Sequence, residues 1–255
     1  MKLYHYTRLE NLTSIVQREK LSFWLTDYRE FDDTSEGEFI LKIQKQFYPN
    51  CVYNNIERYI LSLCKRNNNL PMWKEYASNA TGVALEIETD NIPSSSFCQL
   101  LPCIYNQEIV KERSEAINSI IERYRLQNVK DKYVVFSKHY PELDPIYLKD
   151  FFEKTDVWDA CVELIRVKNA CYSYEEEFRY IVKAWDDNFH YYFKNGKLRC
   201  SYEYNISKNA LTKIYVGPNN SKDIVYNIKH YLQLIGLKDI DVEIIDLPYI
   251  HRGYF

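Results

Sequence analysis

Apolar residues alternate from residue 2 to residue 7, then recur at three-and-four spacing from Asn11 to Lys20, with Leu12, Ile15 and Val16 on one face. The pattern predicts a short strand, then a helix closed by Arg18, Glu19 and Lys20. Leu21 to Thr26 (LSFWLT) is strand-like again. The run Asp32-Asp33-Thr34-Ser35-Glu36 predicts a turn entering a helix through Phe47, its early acids suited to the N-terminal dipole. Tyr59 to Cys64 reads as a strand, Asn67 to Pro71 as a loop and Met72 to Ala77 as a short helical turn. Gly82 to Glu88 alternates as a strand does, and Leu101 to Tyr105 is expected to pair with it.

From Gln107 to Lys168 the rhythm is helical, with three-and-four spacing in Ile109 to Leu126 and in Pro145 to Val167, the second introduced by Asp144-Pro145. Tyr174 to Ala184 predicts a strand. Asn195-Gly196 is a hairpin signal between Tyr191-Tyr192-Phe193 and Leu198 to Tyr204. Leu211 to Val216 predicts a strand ended by Gly217-Pro218, Ser221 to Leu234 a helix capped after Gly236, and Val242 to Leu247 a last strand. There is no repeat and no low-complexity linker. The expectation is one α+β domain over residues 1–255, with 107–168 a mainly helical insertion.

The 255 residues suffice for a full core, and a net charge of -3 gives no global basic field for nucleic acid. A local basic groove stays open. No apolar run reaches bilayer-spanning length, and the first residues lack a signal-peptide layout, so a cytoplasmic chain without membrane partners is expected. Seven scattered cysteines, none in a CxxC, fit reduced packed thiols, and no histidine sits at ligand spacing, so no metal is expected. Twenty-four tyrosines supply stacking surfaces, although the same usage follows from an AT-rich genome.

Three separated segments carry candidate chemistry. In Leu3-Tyr4-His5-Tyr6-Thr7, strand alternation puts His5 and Thr7 on one face, as donor and acceptor in a cleft or as a histidine satisfied by a neighbouring carbonyl. Trp73 and Tyr76, three apart, share one side of a helical turn, where they stack a flat heterocycle or fill core. In Tyr174-Glu175-Glu176-Glu177-Phe178-Arg179, Glu175, Glu177 and Arg179 share a strand face, as the polar wall of a site or a solvated charge ladder. Glutamates are poor strand formers, so three at a strand start favour function.

The segments LYHYTRLENLTSIVQREKL, FWLTDYREFDDTSEGEF, PMWKEYASNATGVALEIE, YEEEFRYIVK and IYVGP resemble the bacterial domain-of-unknown-function family 2971, in a match that runs in order from about residue 2 to residue 245. The resemblance implies a relation to the ADP-ribosyltransferase fold, with a split mixed β-sheet. The opening HYT-x-x-x-NL-x-x-I is also similar to ADP-ribosyltransferase toxins that modify DNA bases. It implies NAD as substrate, oriented by His5, with Glu177 catalytic and the strands of both meeting across one cleft. It leaves the aromatic role to Trp73, Tyr76 or Trp24.

Nicotinamide–ribose cleavage passes through an oxocarbenium-like state that a carboxylate stabilises as positive charge develops. In this reading Glu177, with Glu175 and His5, is catalytic. His5, Thr7, Trp24, Arg29, Trp73, Tyr76 and Arg179 bind NAD, with Arg29 or Arg179 facing a phosphate. The expected function is an NAD-dependent ADP-ribosyltransferase, a toxin or anti-phage effector acting on nucleic acid or protein. The alternatives are an NAD glycohydrolase, or a non-catalytic domain of the same fold that senses a nucleotide or phage component.

Overall fold

The structure, a computed structural model, describes residues 1–31, 58–95, 98–105, 165–166, 168–184, 186–194 and 196–248. The helix expected over 32–47 and nearly all of the helical stretch 107–168 lie outside the described residues. The chain divides into two compact units, one of residues 1–30, 57–103 and 172–255, the other of 31–56 and 104–171. The first carries the sheet and the candidate site.

That unit is a mixed sheet with a few helices, in keeping with an α+β class. Its strands are β1 (Lys2–Thr7), β2 (Lys20–Asp27), β3 (Arg58–Cys64), β4 (Val83–Glu88), β5 (Cys98–Pro102), β6 (Glu177–Lys183), β7 (Phe189–Lys194), β8 (Lys197–Ser207), β9 (Leu211–Val216) and β10 (Asp241–Ile244). They bond in the order β10-β9-β4-β1-β3-β2-β8-β7, with β6 between β3 and β5. β9 and β10 run parallel, and the other pairs are antiparallel.

β3 has three neighbours on two edges. β6 pairs along its whole length, from Arg58↔Lys183 to Cys64↔Glu177. The other edge is divided, with β2 pairing at Tyr59 and Ile60 and β1 at Cys64. Between these points, at residues 61–63, β1 and β2 part and the sheet forks.

Directly paired residues share a face of the sheet, so the register sorts the side chains. One face carries Leu3, Leu25, Leu61, Leu63, Leu85, Val182 and Ile214, buried against Ile228 and Leu232 of helix α3 (Lys222–Leu234). These two lie four apart, as one helical face requires. Gly236, at φ +80°, ends this helix in the left-handed conformation that glycine takes without a Cβ penalty. The other face carries Tyr6, Cys64, Ala84 and Tyr215, packed on Met72 and Trp73 of helix α2 (Leu70–Glu75) and on Ala77 and Ala80. Asn69 caps α2, its side chain accepting from the Met72 amide at 3.4 Å, and Pro71 sits in the first turn, where its missing N–H is harmless. The loop after α2 presses close: a Cβ on Gly82 would stand 2.3 Å from the Thr7 carbonyl oxygen, and one on Gly217 would stand 2.1 Å from that of Ala80.

Several expectations need correction. The helix expected over 11–20 is the single turn α1 (Leu12–Ile15), because Val16 bridges to Leu21 and the Gln17 amide bonds the Lys20 carbonyl, turning the chain straight into β2. The strand after residue 95 is β5, and its partner is β6 rather than β4. β6 starts at Glu177, not at Tyr174: Ala170–Glu175 form a 3-10 turn, and Glu176 adopts φ +44°. No helix among the described residues is long and apolar enough to cross a membrane.

Candidate functional site

Glu177 opens β6 and is 4% exposed, and Arg179, two residues along the same face, is 1% exposed. The guanidinium grips the carboxylate at both oxygens, Nε donating to Oε1 at 3.1 Å and Nη2 to Oε2 at 3.2 Å. Such a two-pronged, charge-assisted contact fixes the orientation of a buried carboxylate. Ser62, the one polar side chain in the apolar stretch Tyr59 to Leu63 of β3, adds a third contact, its Oγ donating to Oε1 at 2.5 Å. Ser62 is exposed. It is therefore the solvent-facing member of a trio whose other two members are buried.

The same residue ties the fork to this trio. Where β1 and β2 part, the Ser62 carbonyl is met by His5, whose Nδ1–H donates to it at 3.2 Å. The imidazole packs edge-on against Phe23 of β2, 5.2 Å between ring centres. Burial among these neighbours lowers the His5 pKa to about 4, while the Ser62 carbonyl opposes the shift. At neutral pH the ring is uncharged, with its proton on Nδ1 and a lone pair on Nε2.

Glu175 and Glu176 go separate ways. Glu175 is 2% exposed and accepts from the Tyr76 hydroxyl at 3.2 Å, while Glu176 swings out to the Arg66 guanidinium. The left-handed turn at Glu176 breaks the alternation that would align Glu175 with Glu177 on one strand face. Tyr174, on the same 3-10 turn, donates its hydroxyl to Glu75 at 3.4 Å and its carbonyl accepts from the Asn69 side chain. The 170–175 turn is thus moored to the ends of α2.

The other sequence candidates scatter. His5 lies one residue from Tyr4, which pairs with Cys64, which pairs with Glu177, so the register puts His5 and Glu177 on opposite faces, joined through Ser62 rather than across one cleft. Trp73 has no exposed surface: its ring stands edge-on to Tyr6 at 5.1 Å and its Nε1–H donates to the Asn67 carbonyl at 2.7 Å, so no ligand ring can lie on it. Tyr76, three residues on, is 44% exposed. Tyr76 is the C-cap of α2, still in the helical region with its amide donating to the Met72 carbonyl, so the spacing from Trp73 holds but only Tyr76 reaches solvent. Thr7 is buried and its Oγ1 accepts from the Asn11 side chain at 3.0 Å. Trp24 is 53% exposed and, through Thr26↔Ile60, lies on the face of Ser62, Glu177 and Arg179. The Arg29 side chain lies outside what the structure describes.

Sequence reasoning passed over Ser62. The available signal was a lone hydroxyl in an otherwise apolar strand, RYILSLC. A polar side chain in such a run needs a partner, and here the partner is Glu177.

Residues 72–180 match the model of DUF2971, a protein family of unknown function. The match supports that family for this chain. It runs from within α2 through β4 and β5 to the start of β6, and so contains Trp73, Tyr76, Glu175, Glu177 and Arg179 but neither Ser62 nor His5. No curated protein and no solved structure matches the chain.

Proposed function

We propose that the chain cleaves the nicotinamide–ribose bond of NAD and passes the ADP-ribosyl group to an acceptor, with Glu177 as the stabilising carboxylate. One observation carries the reading: a buried carboxylate held at both oxygens by Arg179 and hydrogen-bonded by the exposed Ser62, beside the fork in the sheet. When the C–N bond breaks, nicotinamide leaves with the bonding pair as a neutral ring and positive charge grows on the ribose. A fixed anion strengthens its interaction with that charge without reorganising. Arg179 and Ser62 hold the Glu177 carboxylate in place, while His5, on the Ser62 carbonyl, positions the strand. An acceptor hydroxyl or amine then forms the new bond to the ribose carbon and gives up its proton. Tyr76 and Trp24 are the exposed rings among the aromatic candidates.

A second reading follows from the same contacts. Arg179 and Ser62 already occupy both Glu177 oxygens, as in a structural ion pair, and this favours a non-catalytic nucleotide-binding domain. Incubation with NAD labelled in the adenylate, together with cell lysate, separates the two. Transfer of label by the parent that falls about a hundredfold in Glu177→Gln supports the transferase. Release of nicotinamide without transfer identifies a glycohydrolase. No NAD turnover by a folded parent leaves the binding domain.

A further inference from the structure

The sheet face that carries Ser62 and Glu177 continues across β2, β8 and β7, and there its composition changes. Register places Lys20, Ser22, Trp24 and Thr26 of β2 on it, with Lys197, Arg199, Ser201, Glu203 and Asn205 of β8 and His190, Tyr192 and Lys194 of β7. Four basic residues thus share the face with one acid, in a chain whose net charge is -3. Glu30, outside these strands, engages Arg199 through its carbonyl, which accepts from Nη1 at 2.8 Å, and through its carboxylate at 3.9 Å. Glu203 likewise engages Lys20, so the exposed cations of the face are Lys194 and Lys197 at the hairpin tip.

Rings are interleaved with the cations. Trp24 lies parallel to His190, with 4.4 Å between centres and 14° between planes, and Tyr192 stands 6.3 Å from the indole. This arrangement is built rather than incidental. Glu203 accepts from His190 Nε2 at 2.7 Å, from Ser22 Oγ at 2.8 Å and from Lys20 Nζ at 3.1 Å, which holds the imidazole under the indole. With His190 behind one side and more than half of the residue exposed, the indole is a preformed platform for a flat ring. Aromatic platforms set among cations suit a polyanion that carries flat bases, and stacking accepts any base because each has a π-face.

We propose that this face binds single-stranded nucleic acid, with a base stacked on Trp24 and backbone phosphates drawn to Lys194 and Lys197. Resting on the transferase reading, it makes such a strand the acceptor, since the platform and Glu177 stand on one face of the sheet. A duplex keeps its bases stacked inside and cannot use the indole. A free mononucleotide lacks the row of phosphates.

Fluorescence anisotropy of the full chain with a labelled single-stranded oligonucleotide of about 12 nucleotides tests this. Trp24→Ala, an exposed substitution, should keep the parent's melting temperature and weaken binding about tenfold or more. Lys194→Gln with Lys197→Gln should lower the slope of log affinity against log salt by about 1.4, one phosphate for each lysine. Unchanged affinity in Trp24→Ala, an unchanged salt slope, or equal affinity for the duplex or for adenosine monophosphate overturns the proposal. NAD turnover is read separately: strand binding without turnover overturns the transferase and leaves this surface standing, while turnover without strand binding overturns the surface alone.

Discussion

His5 gives the structure a measurable pH dependence. Its pKa falls from 6.5 to about 4 on folding, because the ring is packed between Phe23 and the Ser62 carbonyl at the fork. Between those two values the unfolded chain binds a proton that the folded chain refuses, so stability rises with pH there and is lost as pH falls. Each pH unit is worth at most about 1.4 kcal/mol, which over this window accumulates to about 3 kcal/mol. His5→Asn retains an N–H donor near the Ser62 carbonyl and removes the ionisation. Urea unfolding at about pH 7 and about pH 4.5 should therefore show the parent losing about 2–3 kcal/mol more than the variant, with little difference in slope above pH 7. The comparison with the variant cancels the titration of carboxylates common to both. Parallel profiles would show that the imidazole is as well solvated folded as unfolded, and the packing argument at the fork would be wrong.

Trp73→Ala should destabilise by about 3–5 kcal/mol, since it empties a fully buried site between Tyr6 and α2. Tyr76→Ala should keep a cooperative thermal melt close to the parent's, and a loss as large as that of Trp73→Ala would mean Tyr76 is core. Gly217→Ala should cost about 1–3 kcal/mol in chemical denaturation, because the new methyl meets the Ala80 main chain, which has no flexible end to move aside. A neutral result there would show that the loop after α2 shifts freely.

Elements fixed by neighbouring residues were legible in the sequence. β1 and β4 follow alternation, the β7–β8 hairpin follows Asn195-Gly196, and α3 follows its apolar face and the stop at Gly236. What needed long-range pairing was not legible. Nothing local says that β5 joins β6, or that β3 carries β1 and β2 on one edge. Two site expectations failed for reasons that the sequence hides. Period-two counting across 175–179 fails at the left-handed Glu176, and the spacing from Trp73 to Tyr76 does not tell that Tyr6 and the Asn67 carbonyl enclose the indole. Glu177 with Arg179 did come from alternation, since both stand on β6, whereas the Ser62 partner came from pairing across 115 residues.

The divided edge of β3 also bears on the order in which the chain assembles. β1, β2 and β3 emerge early from the ribosome, yet β6, which covers the whole second edge of β3, is made more than a hundred residues later. Until then a strongly apolar strand, RYILSLC, has one edge partly paired and the other open, which is the state most prone to capture by a foreign strand. Closing so distant a pair carries a loop-entropy cost before any contact repays it, so the sheet should form slowly and late. Chaperone demand during synthesis is then expected to peak between completion of β3 and release of residue 183.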